Sequence, residues 1–153
     1  MTDTILHASL VTLLSELVNG TPSTGGYMLN RGDIGLLRSL DRLSATEASM
    51  IVSDGSSIAA HVDHVTYGLS LMNRWAAGEN PWRSADWKAS WKRPTVTDEG
   101  WARLRQSLAD EARKWLETIG RPRAMKEEAL TGMISSIAHL AYHLGAIRQK
   151  LLL

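Results

Sequence analysis

The chain predicts an all-α fold, a four-helix bundle with short extra helices between the first and second long helices. Two observations carry this. Four long segments repeat apolar residues at helical spacing, and no segment alternates apolar and polar residues as a half-buried strand does. At 153 residues the chain can bury a substantial core, and no linker, internal repeat or low-complexity tract divides it. Residues 1–153 therefore read as a single domain.

The first helix is predicted over roughly 3–18, with Ile5, Leu6, Leu10, Leu13, Leu14 and Leu17 on one face and Asn19–Gly20 as its stop. After a loop rich in Gly and Pro, Asp33 is placed to cap a short helix, DIGLLRSLDRL, and Ser44 and Glu47 have the spacing of a capping box. Asp54, Gly55 and Ser56 open the second long helix, placed at about 56–77 and ended by Gly78. The segment GENPWRSADWKASWKRPTVTD is a long connection with Trp82, Trp87 and Trp91. Connections of this length without structure of their own are uncommon and often functional, although tryptophans also simply pin a loop to a core. The third long helix starts near Thr97 or Asp98 and ends at Gly120, with Trp101, Leu104, Leu108, Ala112 and Trp115 on its core face. Pro122 marks a turn, and the last helix is placed at about Met125 to Lys150.

Composition narrows the function classes. The chain is 44% apolar and 22% charged, and 17 basic against 16 acidic residues leave a net charge of +1. That balance provides no electrostatic footprint for a phosphate backbone, so no nucleic-acid partner is expected. No apolar run is long enough to span a bilayer, so no membrane partner is expected either. The N-terminal segment has an acidic residue where a signal peptide needs basic ones, and reads as the first helix. The absence of cysteine fits a cytoplasmic protein; it also excludes disulfides, zinc–thiolate sites and cysteine nucleophiles. Any metal must be held by nitrogen and oxygen. Six tryptophans, three tyrosines and no phenylalanine make the aromatic content unusual in kind, because an indole offers a large face and an N–H donor together.

The histidines carry most of the functional signal. Of five, His61 and His64 fall in SIAAHVDHVTYGL, and His139 and His143 in SIAHLAYHLGAIRQ; only His7 lies elsewhere. On the last helix Ala129, Met133, Ile137, Leu140, Leu144, Ile147 and Leu151 form a core stripe, and one position back run Gly132, Ser136, His139, His143 and Ala146. The second long helix repeats the design. Its core stripe is Ile58, Val62, Val65, Leu69, Met72 and Ala76, and one position back run Ser57, His61, His64, Gly68, Leu71 and Trp75. Small side chains beside histidines leave room for a metal and a ligand, where a helix meant only to pack would fill the space. Histidines at i and i+4 share a helix face and can chelate one ion, and a third from the facing helix completes a triad with open coordination positions. HLAYH lacks the glutamate of the HExxH metalloprotease motif, and no helix carries the Glu-x-x-His pattern of di-iron bundles. Proteolysis and di-iron oxidation are therefore disfavoured.

SIAAHVDHV (57–65) and AHLAYHLGAIRQ (138–149) resemble the second-helix and last-helix signatures of the DinB family, also called DinB/YfiT-like, of metal-binding four-helix bundles. The predicted bundle layout, which covers nearly the whole chain, agrees with that family. It implies a divalent metal, zinc or nickel, held by His64, His139 and His143. His61, one turn earlier, is left as a second-sphere group, a pocket wall or a fourth ligand. Ala146 stands where family members often have Gln. Several members are thiol-dependent S-transferases using low-molecular-weight thiols such as mycothiol, bacillithiol or glutathione, and homodimers are common among them. A homodimer acting on a small-molecule substrate is the corresponding expectation.

Supporting roles are open on sequence grounds. Tyr142 and Tyr67 are placed to donate to a metal-bound water or to pack with the hydroxyl at the surface, and Trp75 continues the histidine stripe as a pocket wall or as ordinary core. Arg74 and Arg148 are available to an anionic substrate group or to solvent. Three functional readings follow. The first is a metal-dependent enzyme, a thiol-dependent S-transferase or a metal-assisted hydrolase. The second is a non-catalytic, stress-related bundle that binds metal or a small molecule. The third is a metal-free interaction module with core histidines.

Overall fold

The computed structural model describes residues 2–51, 55–92, 94–122 and 124–151. It is all-helical, with no strand among the described residues. The described residues form six α-helices in order: α1 (Thr2–Asn19), α2 (Gly35–Leu40), α3 (Ala45–Ser49), α4 (Ile58–Ala76), α5 (Asp98–Gly120) and α6 (Glu127–Leu151). Two 3₁₀ turns, Pro81–Ser84 and Ala89–Lys92, interrupt the connection between α4 and α5. Among the described residues no helix is long and apolar enough to cross a membrane.

Each of α1 and α4 packs against both α5 and α6. The core between them holds Leu14, Leu17, Val62, Val65, Leu69, Leu108, Trp115, Met133, Leu140, Leu144 and Ile147, largely as the stripes predict. The stripes fail at their ends. Ile5 is 63% exposed and lies on the same open face of α1 as Ala8, Ser9 and Thr12, and Leu151, the last residue of α6, is 43% exposed. The buried residue on that stretch of α1 is His7, whose Nδ1 hydrogen-bonds the carbonyl of Ile119 on α5.

Polar anchors set the ends of the helices. Glu16, 3% exposed, accepts the backbone N–H groups of Tyr27, Met28 and Leu29 and so folds the loop after α1 back onto the helix. Gly20 and Gly35 have positive φ and meet face to face; a Cβ on Gly20 would lie 2.2 Å from the Asp33 carbonyl oxygen. Asp33 acts one residue further from α2 than expected: Ile34 is the N-cap, and the Asp33 carboxylate accepts the Gly35 N–H at 2.8 Å and the Arg148 guanidinium at 2.7 Å. This helix is also shorter than its pattern, stopping at Leu40. The capping box at α3 forms, with the Ser44 hydroxyl accepting from Glu47 N–H and the Glu47 carboxylate from Ser44 N–H. The start of α4 is set by Ser57 instead of Ser56, and Asp54 lies outside the described residues. Ser57 Oγ accepts the Ala60 N–H at 3.1 Å and donates to the Pro94 carbonyl, tying the end of the long connection to the top of α4. Thr97 caps α5 by accepting the Gly100 N–H at 3.1 Å. Within the core, the Trp115 indole on α5 donates to the Ser136 hydroxyl on α6 at 2.8 Å.

Candidate metal centre

α4 and α6 lie side by side, and each turns its histidine stripe toward the other. His64 Nε2 is 3.1 Å from His139 Nε2, and His143 Nε2 is 3.0 Å from the same atom. A ligand atom from each of the three rings falls within 4.8 Å of those of the others. Two nitrogens bound to one ion at about 2.0–2.1 Å sit roughly 2.8–3.4 Å apart, depending on the angle between the bonds. The two separations from His139 Nε2, 3.1 and 3.0 Å, fall inside that range. Hydrogen bonding alone accounts for this cluster poorly. A ring nitrogen has one in-plane position, filled by a proton or a lone pair, so a single proton satisfies only one of the two close approaches at His139 Nε2. One cation accepts all three lone pairs. The donor set therefore fits a metal ion held by nitrogen.

His61 stands elsewhere. Its Nδ1 lies 2.8 Å from His143 Nδ1, on the side of that ring opposite the cluster, and its Nε2 lies 2.9 Å from the Ser56 hydroxyl. With the triad's Nε2 atoms left as lone pairs, His143 carries its proton on Nδ1 and donates it to His61 Nδ1. His61 then carries its own proton on Nε2 and donates to Ser56. A chain of this kind fixes the tautomer and the ring orientation of a ligand. Of the three roles open to His61, the geometry matches the second-sphere one and not the fourth ligand.

The imidazoles are held neutral. Burial, then the nearby His139, His61 and His64, pushes His143 down to about 3. Burial, then Lys150 and His64, pushes His61 down to about 4. Burial lowers His64, with His139 adding to the effect, and burial alone lowers His139. A neutral ring carries one N–H and one lone pair, and the lone pair is what a metal ion binds.

The long connection covers this cluster. Trp91 stacks on His64 with ring centroids 4.5 Å apart and planes 29° from parallel, and also meets His61 edge-on at 5.2 Å. Trp87 approaches His64 at 5.5 Å and His139 at 6.1 Å. The connection is thus neither structureless nor merely pinned to the core: its second 3₁₀ turn packs on α4, directly over the histidines. Trp87 and Trp91 are site residues that sequence reasoning did not assign. Three tryptophans in one connection were the available signal, but nothing in it named the side chains they would meet.

Other expectations change. Tyr142 is 70% exposed, and its ring lies 5.0 Å from that of His143 with the planes at 89°. Tyr67 is a brace: its hydroxyl accepts the Asp86 N–H at 2.9 Å and its ring meets Trp87 edge-on, which holds the tryptophan connection in place. Trp75 does line a cavity, together with Met72, Trp82 and Trp87. Arg74 pairs with Glu79 and Arg148 with Asp33, each at 2.7 Å, so both cations serve the fold.

No family model, curated protein or solved structure matches the chain.

Proposed function

We propose that the chain is a metal-binding four-helix bundle of the DinB type, in which His64, His139 and His143 hold a divalent zinc or nickel ion for thiol-dependent S-transfer or metal-assisted hydrolysis of a small molecule. The observation that carries this reading is the meeting of three imidazoles from two helices, with His64 Nε2 at 3.1 Å and His143 Nε2 at 3.0 Å from His139 Nε2 and His61 engaged elsewhere. Three protein nitrogens leave coordination positions free, whereas a closed four-nitrogen set would favour a structural ion. When bound, such an ion lowers the pKa of a water or thiol ligand and polarises a substrate oxygen. The chain's own part is to hold three rings in one orientation through His61 and Ser56, keep them unprotonated by burial, and exclude bulk water with Trp87 and Trp91.

The stacked Trp91 supports a second reading. An indole lying over His64 restricts approach from that side, as suits a bundle that binds a metal or small molecule without turning it over.

Elemental analysis of freshly purified protein, repeated on His139→Ala and His143→Ala variants, tests the metal. One equivalent in the parent chain and loss in both variants is expected, and retention of stoichiometric metal in the variants would exclude this site. A panel of low-molecular-weight thiols with electrophiles, read as loss of thiol, then separates the two readings. Turnover that depends on the metal supports the enzyme, and metal binding without turnover by any thiol supports the binding bundle.

A further inference from the structure

Beside the histidine cluster lies a cavity of about 330 Å³ between α4, α6 and the first half of the connection. Its walls are mostly hydrocarbon and indole: Met72 and Trp75 from α4, and Trp82 and Trp87 from the connection. Two glycines keep it open. A Cβ on Gly132 of α6 would lie 3.2 Å from Trp75 Cζ3 and 3.4 Å from Met72 Cε. A Cβ on Gly68 of α4 would lie 3.3 Å from His139 Cε1 and 3.5 Å from Trp87 Cζ3. Gly68 therefore sits where the cavity meets the edge of a proposed ligand ring, and Trp87 is a wall common to the cavity and the cluster.

The chemistry of the walls selects the occupant. Ser136, at the floor, already accepts from Trp115 and donates to the Met133 carbonyl, so its hydroxyl is engaged. Glu128 and Ser135, the other polar lining residues, are exposed, at the rim. The interior offers indole faces and a thioether, which favour a flat apolar group through burial and ring contacts. The volume is at the small end of ligand pockets, enough for one ring on a short chain. We infer that this cavity holds an aromatic or similarly flat apolar group of the substrate, whose metal-binding atom reaches past Gly68 to His64, His139 and His143. The inference rests on the metal reading for its reactive end and on the cavity for the rest.

Three thiols with the same two-carbon arm separate the alternatives: 2-mercaptoethanol, 2-phenylethanethiol and thiocholine. Each is titrated into the cobalt(II)-loaded protein and followed by thiolate-to-cobalt charge-transfer absorption. The phenyl thiol is expected to bind about tenfold or more tighter than mercaptoethanol, from burial of its ring. In Gly132→Leu, which places a side chain in the cavity, the ratio is expected to fall to about twofold or less. Leucine favours the helix that carries position 132, and Trp82→Ala, which removes a wall at the exposed end, should lower the same ratio without adding bulk. Equal binding of the phenyl thiol and mercaptoethanol overturns the inference. So does a preference for thiocholine, which would mark a cation site of indole faces and Glu128, or a phenyl preference that persists in both variants. A metal-free arm uses 2-phenylethanol, read by tryptophan emission. Saturable binding in the parent chain and its loss in Gly132→Leu support the cavity even where cobalt fails to bind, a failure that would count against the metal reading alone. No saturable change in the parent chain counts against the cavity.

Discussion

The Nδ1 atoms of His61 and His143 lie 2.8 Å apart, although the residues are 82 positions apart in the chain. Since His143 also directs Nε2 at the cluster, each of its ring nitrogens has one assigned task. His61→Ala should weaken metal binding about 10–100-fold while leaving the stoichiometry at one, because the ligands stay but the ring of His143 loses its orienting partner. Competition against a chelator of known affinity measures this. Unchanged affinity would reduce His61 to a packing residue.

The pH dependence of the metal-free protein follows from the four depressed imidazoles. Their folded pKa values lie below the unfolded value near 6.5, so the unfolded chain binds more protons as the solution is acidified. Stability should therefore be complete above about pH 6.5 and fall as the pH drops toward the folded values, about 4 for His61 and about 3 for His143. Urea midpoints between pH 7.5 and 4.5 should fall for the parent chain and fall less steeply for His143→Gln, which has no proton to gain. Parallel slopes would show that carboxylates elsewhere govern acid unfolding.

Trp91 stacks over His64, so it should report on the ion. Loading with nickel(II) or cobalt(II) is expected to quench part of the tryptophan emission, and Trp91→Phe should remove a large share of that quench. The same variant should release metal to excess chelator several-fold faster, because a smaller ring covers the cluster. Release as slow as in the parent chain would mean that Trp91 does not control access.

Ser57 caps α4 and holds the Pro94 carbonyl. Ser57→Ala should cost about 0.5–2 kcal/mol by loss of the cap. Letting go of the connection should also make Trp87 and Trp91 more accessible to acrylamide. A purely local cap effect would lower the denaturant midpoint without changing quenching.

The helical elements were legible because long amphipathic repeats bounded by Ser, Thr and Gly leave few alternatives, and the capping box at Ser44 and Glu47 formed as spaced. The convergence of the two histidine helices was legible for the same reason: both stripes lie one position behind a core stripe. Spacing alone did not decide between His61 and His64, which share a stripe three residues apart. The offset of α4 along α6 decides it, bringing His64 to His139 and His61 to the far edge of His143. The partners of Trp87 and Trp91 were not legible, since a connection without periodicity carries no record of the face it covers. His7 was hidden likewise: its partner, the Ile119 carbonyl, is 112 residues away and belongs to a backbone that every sequence shares.

His64 and His139 are 75 residues apart and meet at 3.1 Å. An ion shared between them would act as a removable cross-link around that stretch of chain, with the long connection and all of α5 inside the ring it closes. Because an open chain has no such site ready-made, the energy of capture goes into ordering the polypeptide. Yield on refolding, resistance to proteases and survival on heating should then all rise and fall with the supply of the ion.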